Sequence, residues 1–158
     1  MKSVIFLDID GVLALRVPPP VSVPFRHSRG RFPAQPPIHS SRRVLVPHCI
    51  GALNTITAAS GAGLVVSSSW RLRGDVRPVL RNAGVRGTFH EDWRTDDAGP
   101  NRGAEISRWL AGHGYPTFLV IDDWLPGLEG LRGNLLFVDW RCGLQAGQVD
   151  AAVARLRA

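Results

Sequence analysis

Residues Val4-Ile5-Phe6-Leu7-Asp8-Ile9-Asp10-Gly11-Val12-Leu13 constrain this chain more than any other stretch. Val4 to Leu7 is a continuous apolar run with β-branched and aromatic members, the pattern of a strand buried on both faces in a parallel sheet. The run ends in two carboxylates, and the two-residue period of a strand puts Asp8 and Asp10 on the same side, with Gly11 behind them to permit a tight turn. Two like charges that close repel unless a cation or a shared proton sits between them. The pair is therefore a candidate Mg2+ site with one carboxylate available as a nucleophile. The plainer reading is a strand that ends in solvated turn acids.

Composition sets bounds around this feature. A chain of 158 residues with 44% apolar content has the size of one domain with a real core, and periodic apolar segments recur to the C-terminus, so a single domain over residues 1–158 is expected. Asp8 and Asp10 interrupt the only apolar run near the N-terminus, so no secretory signal is expected, and no segment is long enough to cross a membrane. Cys49 and Cys142 have neither metal-ligand spacing nor the density of a disulfide scaffold, which makes a reduced cytoplasm the default location.

The net charge of +6 is uneven. Between Gly11 and Gly74 there is no Asp or Glu, while Arg16, Arg26, Arg29, Arg31, Arg42, Arg43, Arg71 and Arg73 all fall there. A basic half facing an acidic site suits a polyanion such as a nucleic acid or nucleotide. Codon composition is the competing explanation, because every basic residue except Lys2 is Arg.

Residues 14–47 hold eight of the twelve prolines and six arginines. Pro18-Pro19-Pro20 and Pro36-Pro37 favour extended backbone, so this segment reads as an insert or flap placed just after the carboxylate strand and over its end, or else as a low-complexity insert. Pro47 opens a helix with Ile50, Leu53 and Ile56 or Thr57 on one face, closed by Ser60-Gly61-Ala62-Gly63. A second buried strand, Leu64-Val65-Val66, runs into Ser67-Ser68-Ser69-Trp70-Arg71, and hydroxyls at the carboxyl end of a parallel strand stand where such sheets bind ligands. The apolar run selects Ser67 among them.

Asp75 to Ala83 reads as a short helix closed by Gly84, Gly87-Thr88-Phe89 as a weak strand, and 91–97 as a surface loop. Asn101 is a good N-cap for a helix with Ile106, Trp109 and Leu110 inward, ending at Gly112. Arg102 then stands in the first turn, where a cation opposes the helix dipole unless an anion lies nearby. Phe118-Leu119-Val120-Ile121 is a third strong strand and ends in Asp122-Asp123, repeating the logic of the first. Leu135 to Val138 forms a last strand ending in Asp139, and a terminal helix carries Val149, Ala152, Val153 and Leu156 inward. The order is that of a doubly wound α/β sheet with its functional groups at strand carboxyl ends or helix starts.

Asp8-Ile9-Asp10-Gly11-Val12-Leu13 resembles the first motif of the haloacid dehalogenase (HAD) superfamily of phosphohydrolases, a hydrophobic strand followed by DxDG. The serines, Arg102 and Asp122-Asp123 follow in the order of that superfamily's second, third and fourth motifs. The resemblance implies a Rossmann-like HAD core of mostly parallel strands. It also implies Mg2+ held by Asp8, the backbone carbonyl of Asp10, and Asp122 or Asp123. Asp8 would be the nucleophile that forms an aspartyl-phosphate, and Asp10 the acid and base. A hydroxyl after the second strand donates to the phosphoryl group, and the hydroxyl-x-Trp spacing of close relatives selects Ser68 over Ser67. Ser67, Ser69, Arg71 and Gly11 are the expected accompanying substrate contacts. The third motif is usually Lys, and here Arg102 stands in its place; Arg is always charged and binds phosphate bidentately.

Arg71 to Pro100 is too short for a large cap domain between the second and third motifs. An open site favours a bulky phosphorylated substrate. The Ser-Trp-Arg and Arg-Gly-x-Glu-Ile-x-x-Trp-Leu stretches are similar to HAD domains of RNA-repair proteins, which implies an RNA or DNA end, or a nucleotide, as substrate. Two other readings stand beside it: a phosphatase of small nucleotides or sugar phosphates with residues 14–47 as its lid, and a non-catalytic HAD-like module that binds a phosphorylated partner. Trp70, Trp93 and Trp124 either pack or contact a base, packing being the usual fate of large apolar side chains. None of these motifs bears on oligomeric state.

Overall fold

The computed structural model describes residues 2–17, 42–115 and 117–158. Five parallel strands form the central sheet: β1 (Ser3–Leu7), β4 (Gly63–Val66), β5 (Phe89–Arg94), β6 (Thr117–Asp122) and β7 (Leu135–Phe137), in the spatial order β5-β4-β1-β6-β7. β1 is central and fully buried, as its unbroken apolar run requires. From β1 the chain winds outward through β4 to β5, then crosses back to place β6 on the other flank. The crevice at that reversal, between β1 and β6, is where open parallel sheets bind ligands.

The two faces of the sheet are covered by different helices, and the strand period assigns residues to them. Ile5, Leu7, Leu64, Val66, Leu119 and Ile121 pack with residues of α1 (Pro47–Ser60), α2 (Arg77–Asn82) and α4 (Val149–Arg157). Val4, Phe6, Val65 and Val120 pack with Ile106 and Trp109 of α3 (Arg102–His113), where the Phe6 and Trp109 rings meet edge to face at 5.3 Å. Counting in twos from Val4 and Phe6 brings Asp8 to the α3 side, and counting from Val120 brings Asp122 there too. Arg102 opens the helix on that side.

Local chemistry explains most element boundaries. Pro47 occupies the first turn of α1, and Gly61 ends it in the left-handed conformation at φ 68°. The Asn101 side chain caps α3 by accepting from the Ala104 N–H at 3.0 Å.

Several boundaries differ from expectation. The third parallel strand is β5, Phe89–Arg94, and not Gly87-Thr88-Phe89: it takes in most of the stretch read as a surface loop. As an edge strand with three exposed polar residues, Glu91, Asp92 and Arg94, it carries little hydrophobic signal. α2 starts at Arg77, because the Asp75 carboxylate accepts from the Arg77 N–H and forms a turn ahead of it. α3 runs past Gly112 to His113 and closes at Gly114, φ 68°. β7 stops at Phe137, and Val153 of α4 is only half buried.

A two-stranded antiparallel ribbon was not foreseen. It consists of β2 (Ala14–Val17) and β3 (Arg42–Leu45), paired from Ala14↔Leu45 to Val17↔Arg42, and forms the base of the Pro/Arg-rich segment. Residues 18–41, the greater part of the expected flap, lie outside the described residues. Among the described residues, no helix is long and apolar enough to cross a membrane.

Candidate active site

Asp8 follows β1 directly and continues its ladder, its N–H donating to the Ile121 carbonyl at 3.0 Å. This sets it level with Asp122, the last residue of β6. Side-chain oxygens of Asp8, Asp122 and Asp123 lie within 4.8 Å of one another. Asp8 and Asp122 are buried, at 3% and 0% exposure. Arg102 reaches both: its guanidinium is 3.2 Å from Asp8 Oδ1 and donates to Asp122 Oδ2. The Trp124 N–H fixes the other oxygen of Asp122 at 2.9 Å.

Three carboxylates and one guanidinium leave two negative charges unbalanced when all are ionised. Burial, joined by repulsion from Asp122 and Asp123 and opposed by Arg102, raises the Asp8 pKa from 3.8 to about 7. Asp122 is raised chiefly by burial against the pull of Arg102, and Asp123 by burial and then by Asp122. A small, hard divalent cation that takes oxygen ligands would balance this set, and the donors fit Mg2+.

Asp10 does not join the three. Its carboxylate pairs with Arg43 of β3, at the edge of the ribbon. The expected alignment of the two acids is overridden because β1 ends at Leu7: Asp10 already belongs to the turn, in which the Gly11 N–H donates to the Ala14 carbonyl at 2.9 Å. Gly11 itself is required there. Its φ is 77°, and a Cβ would overlap the carboxylate of Asp123.

Among the described residues, the buried side-chain atoms without a hydrogen-bond partner are Asp10 Oδ1, Ser67 Oγ, Ser68 Oγ and Thr95 Oγ1. All four follow the carboxyl ends of β1, β4 and β5. An unsatisfied buried polar atom costs about 1–3 kcal/mol, so their concentration at one edge of the sheet is the mark of a ligand site. Of the two serines, Ser68 is close enough to Asp8 to favour its anion, although it reaches no partner at full hydrogen-bond geometry.

Two expected substrate contacts, Ser69 and Arg71, are placed apart from the acid cluster. Ser69 is exposed, in the first turn of a 3-10 segment. Arg71 is 4% exposed and all five of its N–H donors are used. Nε donates to Thr95 O (3.0 Å), Nη1 to Ser67 O (2.7 Å) and Ser68 O (3.0 Å), and Nη2 to Asp96 O (2.7 Å) and Glu105 Oε2 (2.7 Å). Arg71 is a clamp that ties the ends of β4 and β5 to α3, with no donor left for a substrate. Its partner Glu105 carried a weak sequence signal, three residues after Arg102.

Beside the acids, Asp10, Gly11, Ala14, Arg16, Arg43, Asp123, Trp124 and Trp140 line a cavity of about 290 Å³. Trp140 and Arg43 were not singled out from the sequence as site residues. A larger cleft of about 550 Å³, near Trp109 and His113, contains none of the clustered acids. Two pairs of its lining side chains meet within it, Arg108 with Asp96 at 2.6 Å and the His113 ring with Asp92 at 3.1 Å.

The family model for the HAD domain in Swiss Army Knife RNA repair proteins matches residues 4–149. No curated protein and no solved structure matches the chain. The match begins in β1 and extends to the start of α4, so it spans every acid, serine and arginine of the site. The chain belongs to the family of HAD domains of Swiss Army Knife RNA repair proteins, and its function is of the phosphohydrolase type.

Proposed function

We propose that the protein is a Mg2+-dependent phosphomonoesterase that acts through an aspartyl-phosphate on Asp8, with a phosphorylated nucleic-acid end as substrate. The observation that carries this reading is the position of Asp8: it converges with Arg102, Asp122 and Asp123, with the unpartnered Ser68 hydroxyl beside it. A non-catalytic binder of phosphate would have no use for three converging acids, two of them buried.

Asp8, Asp122 and Asp123 would hold Mg2+, which when bound offsets their repulsion and neutralises charge on the phosphoryl group. Asp8, ionised, attacks phosphorus in line as the ester oxygen departs. Asp10 gives that oxygen a proton, then takes one from the water that hydrolyses the acyl-phosphate. Arg43 anchors Asp10 through one carboxylate oxygen, and the other has no partner among the described residues. Ser68 and Arg102 donate to the transferring phosphoryl oxygens, where charge grows in the transition state.

The family's link to RNA repair and the arginines of the ribbon support a polynucleotide substrate. The test is phosphate release from a 3′-phosphorylated oligonucleotide, the matching mononucleotide and p-nitrophenyl phosphate, each with Mg2+ and with EDTA. The expected result is Mg2+-dependent release, fastest from the oligonucleotide, and none from Asp8→Asn. Preference for the mononucleotide would make the ribbon and its insert a small-molecule lid. Turnover by Asp8→Asn would refute Asp8 as nucleophile.

A further inference from the structure

The cavity beside the acids has a composition that the phosphoryl chemistry does not require. Trp124 follows β6 and Trp140 follows β7; their side chains are 63% and 51% exposed, yet both line this one cavity. Two open indoles that share one cavity form an exposed apolar patch, the kind of surface that marks a ligand or partner site. Opposite them stands the ribbon, where Arg16 and Arg43 are direct cross-strand partners. Like charges in that register repel. Asp10 pairs with Arg43, and Arg16 has no ion-pair partner among the described residues. An anion between the two strands would relieve the repulsion.

Asp10 lies on the boundary, lining this cavity beside Asp123 of the acid cluster. If Asp10 protonates the departing oxygen, the group that bore the phosphate must occupy the space next to it. That space is lined by two indoles, one of which has the Arg141 guanidinium over its ring at 5.5 Å, and by the guanidinium groups of Arg16 and Arg43, a set that matches a nucleobase and a phosphodiester.

We propose that Trp124, Trp140, Arg16 and Arg43 form the subsite for the leaving nucleoside: an unpaired terminal base stacks on the indoles, and the adjoining phosphodiester lies against Arg16. The inference rests on the assignment of Asp8 and Asp10 above and adds the form of the substrate, a single-stranded end whose terminal base is free. A base held in a blunt duplex has its faces and edges engaged and binds less well.

The test compares two 3′-phosphorylated oligoribonucleotides identical except that the terminal residue of one is abasic. Wild type, Trp124→Ala/Trp140→Ala and Trp124→Phe/Trp140→Phe are each measured in two ways: KM for phosphate release with Mg2+, and direct binding by fluorescence anisotropy of labelled oligonucleotides in EDTA. Both tryptophans are exposed, so folding is expected to survive, and thermal melts check it. In wild type the terminal base should tighten KM and binding by roughly ten- to hundredfold. That ratio should fall close to one in the alanine variant and largely return in the phenylalanine variant. A ratio unchanged by the alanine substitutions, or close to one in wild type, overturns the subsite. Absence of phosphate release from both oligonucleotides would overturn the phosphatase reading instead, and the binding ratio would then decide the subsite alone.

Discussion

Replacing Arg71 by Met removes the most heavily used side chain near the site without touching an acid. The five hydrogen bonds it loses serve four main-chain carbonyls and the Glu105 carboxylate, which is only 9% exposed. Removing one partner of a buried ion pair costs about 3–5 kcal/mol, because the other charge is left uncompensated. A loss near the middle of that range, about 4 kcal/mol, is a large part of the 5–15 kcal/mol that typically holds a domain together, and lowers Tm by roughly 12 °C at this chain length.

The pH dependence follows from Glu105. Burial raises its pKa, and Arg71 is the main opposing influence. Without the guanidinium the folded-state pKa rises further above the unfolded value. The protonated form then stabilises the fold fully at pH below the unfolded pKa, and this contribution is lost as pH rises through the folded one. The deficit of Arg71→Met should therefore shrink in acid. Urea denaturation at neutral and acid pH measures it, with Arg71→Met/Glu105→Leu as the companion, expected to recover part of the loss at neutral pH. A deficit under about 1 kcal/mol, or a double variant no more stable than the single one, would refute the clamp. Because the clamp fixes the main chain of Ser67 and Ser68, kcat should fall with stability even where the variant is fully folded.

Other outcomes follow from the acid cluster. In EDTA, stability should decline as pH rises from about 4 through about 7, since the folded Asp8 pKa is raised from 3.8 to about 7; the full shift corresponds to about 4 kcal/mol, and Mg2+ should flatten the profile. A flat urea midpoint across that range without metal would contradict it. Asp8→Asn should be at least as stable as wild type at pH above 7 in EDTA, since it removes a charge the fold opposes, and calorimetry checks the sign. Gly11→Ala should cost about 1–2 kcal/mol for its left-handed backbone. It should also push the Asp123 carboxylate aside, so that half-maximal activity needs more Mg2+.

The scaffold of the site is legible in the order of residues alone. Three apolar runs too hydrophobic for anything but buried parallel strands, at Val4, Leu64 and Phe118, each end in polar residues, and register then aligns those ends. Asp8, Ser68, Asp122 and Asp123 meet for that reason, Arg102 joins them from the first turn of α3, and Pro47 and Asn101 mark their helices because first-turn and capping preferences are local. Edge strand β5 was only partly legible, since a half-exposed strand has no apolar run to announce it.

Tertiary structure decided what each polar side chain does with its neighbours. Nothing local to Arg71 distinguishes a phosphate ligand from a clamp; its five donors are claimed by residues 67, 68, 95, 96 and 105, which only the fold brings together. Asp8 and Asp10 are two residues apart with similar surroundings in sequence, yet one meets Arg102 and the other Arg43 on the ribbon. Trp109 is core while Trp124 and Trp140 stand open beside the acids, a difference set by which turns flank the sheet's carboxyl edge. Strand order and loop placement are long-range properties: apolar periodicity fixes which way a residue faces, and the packing of distant segments fixes what it faces.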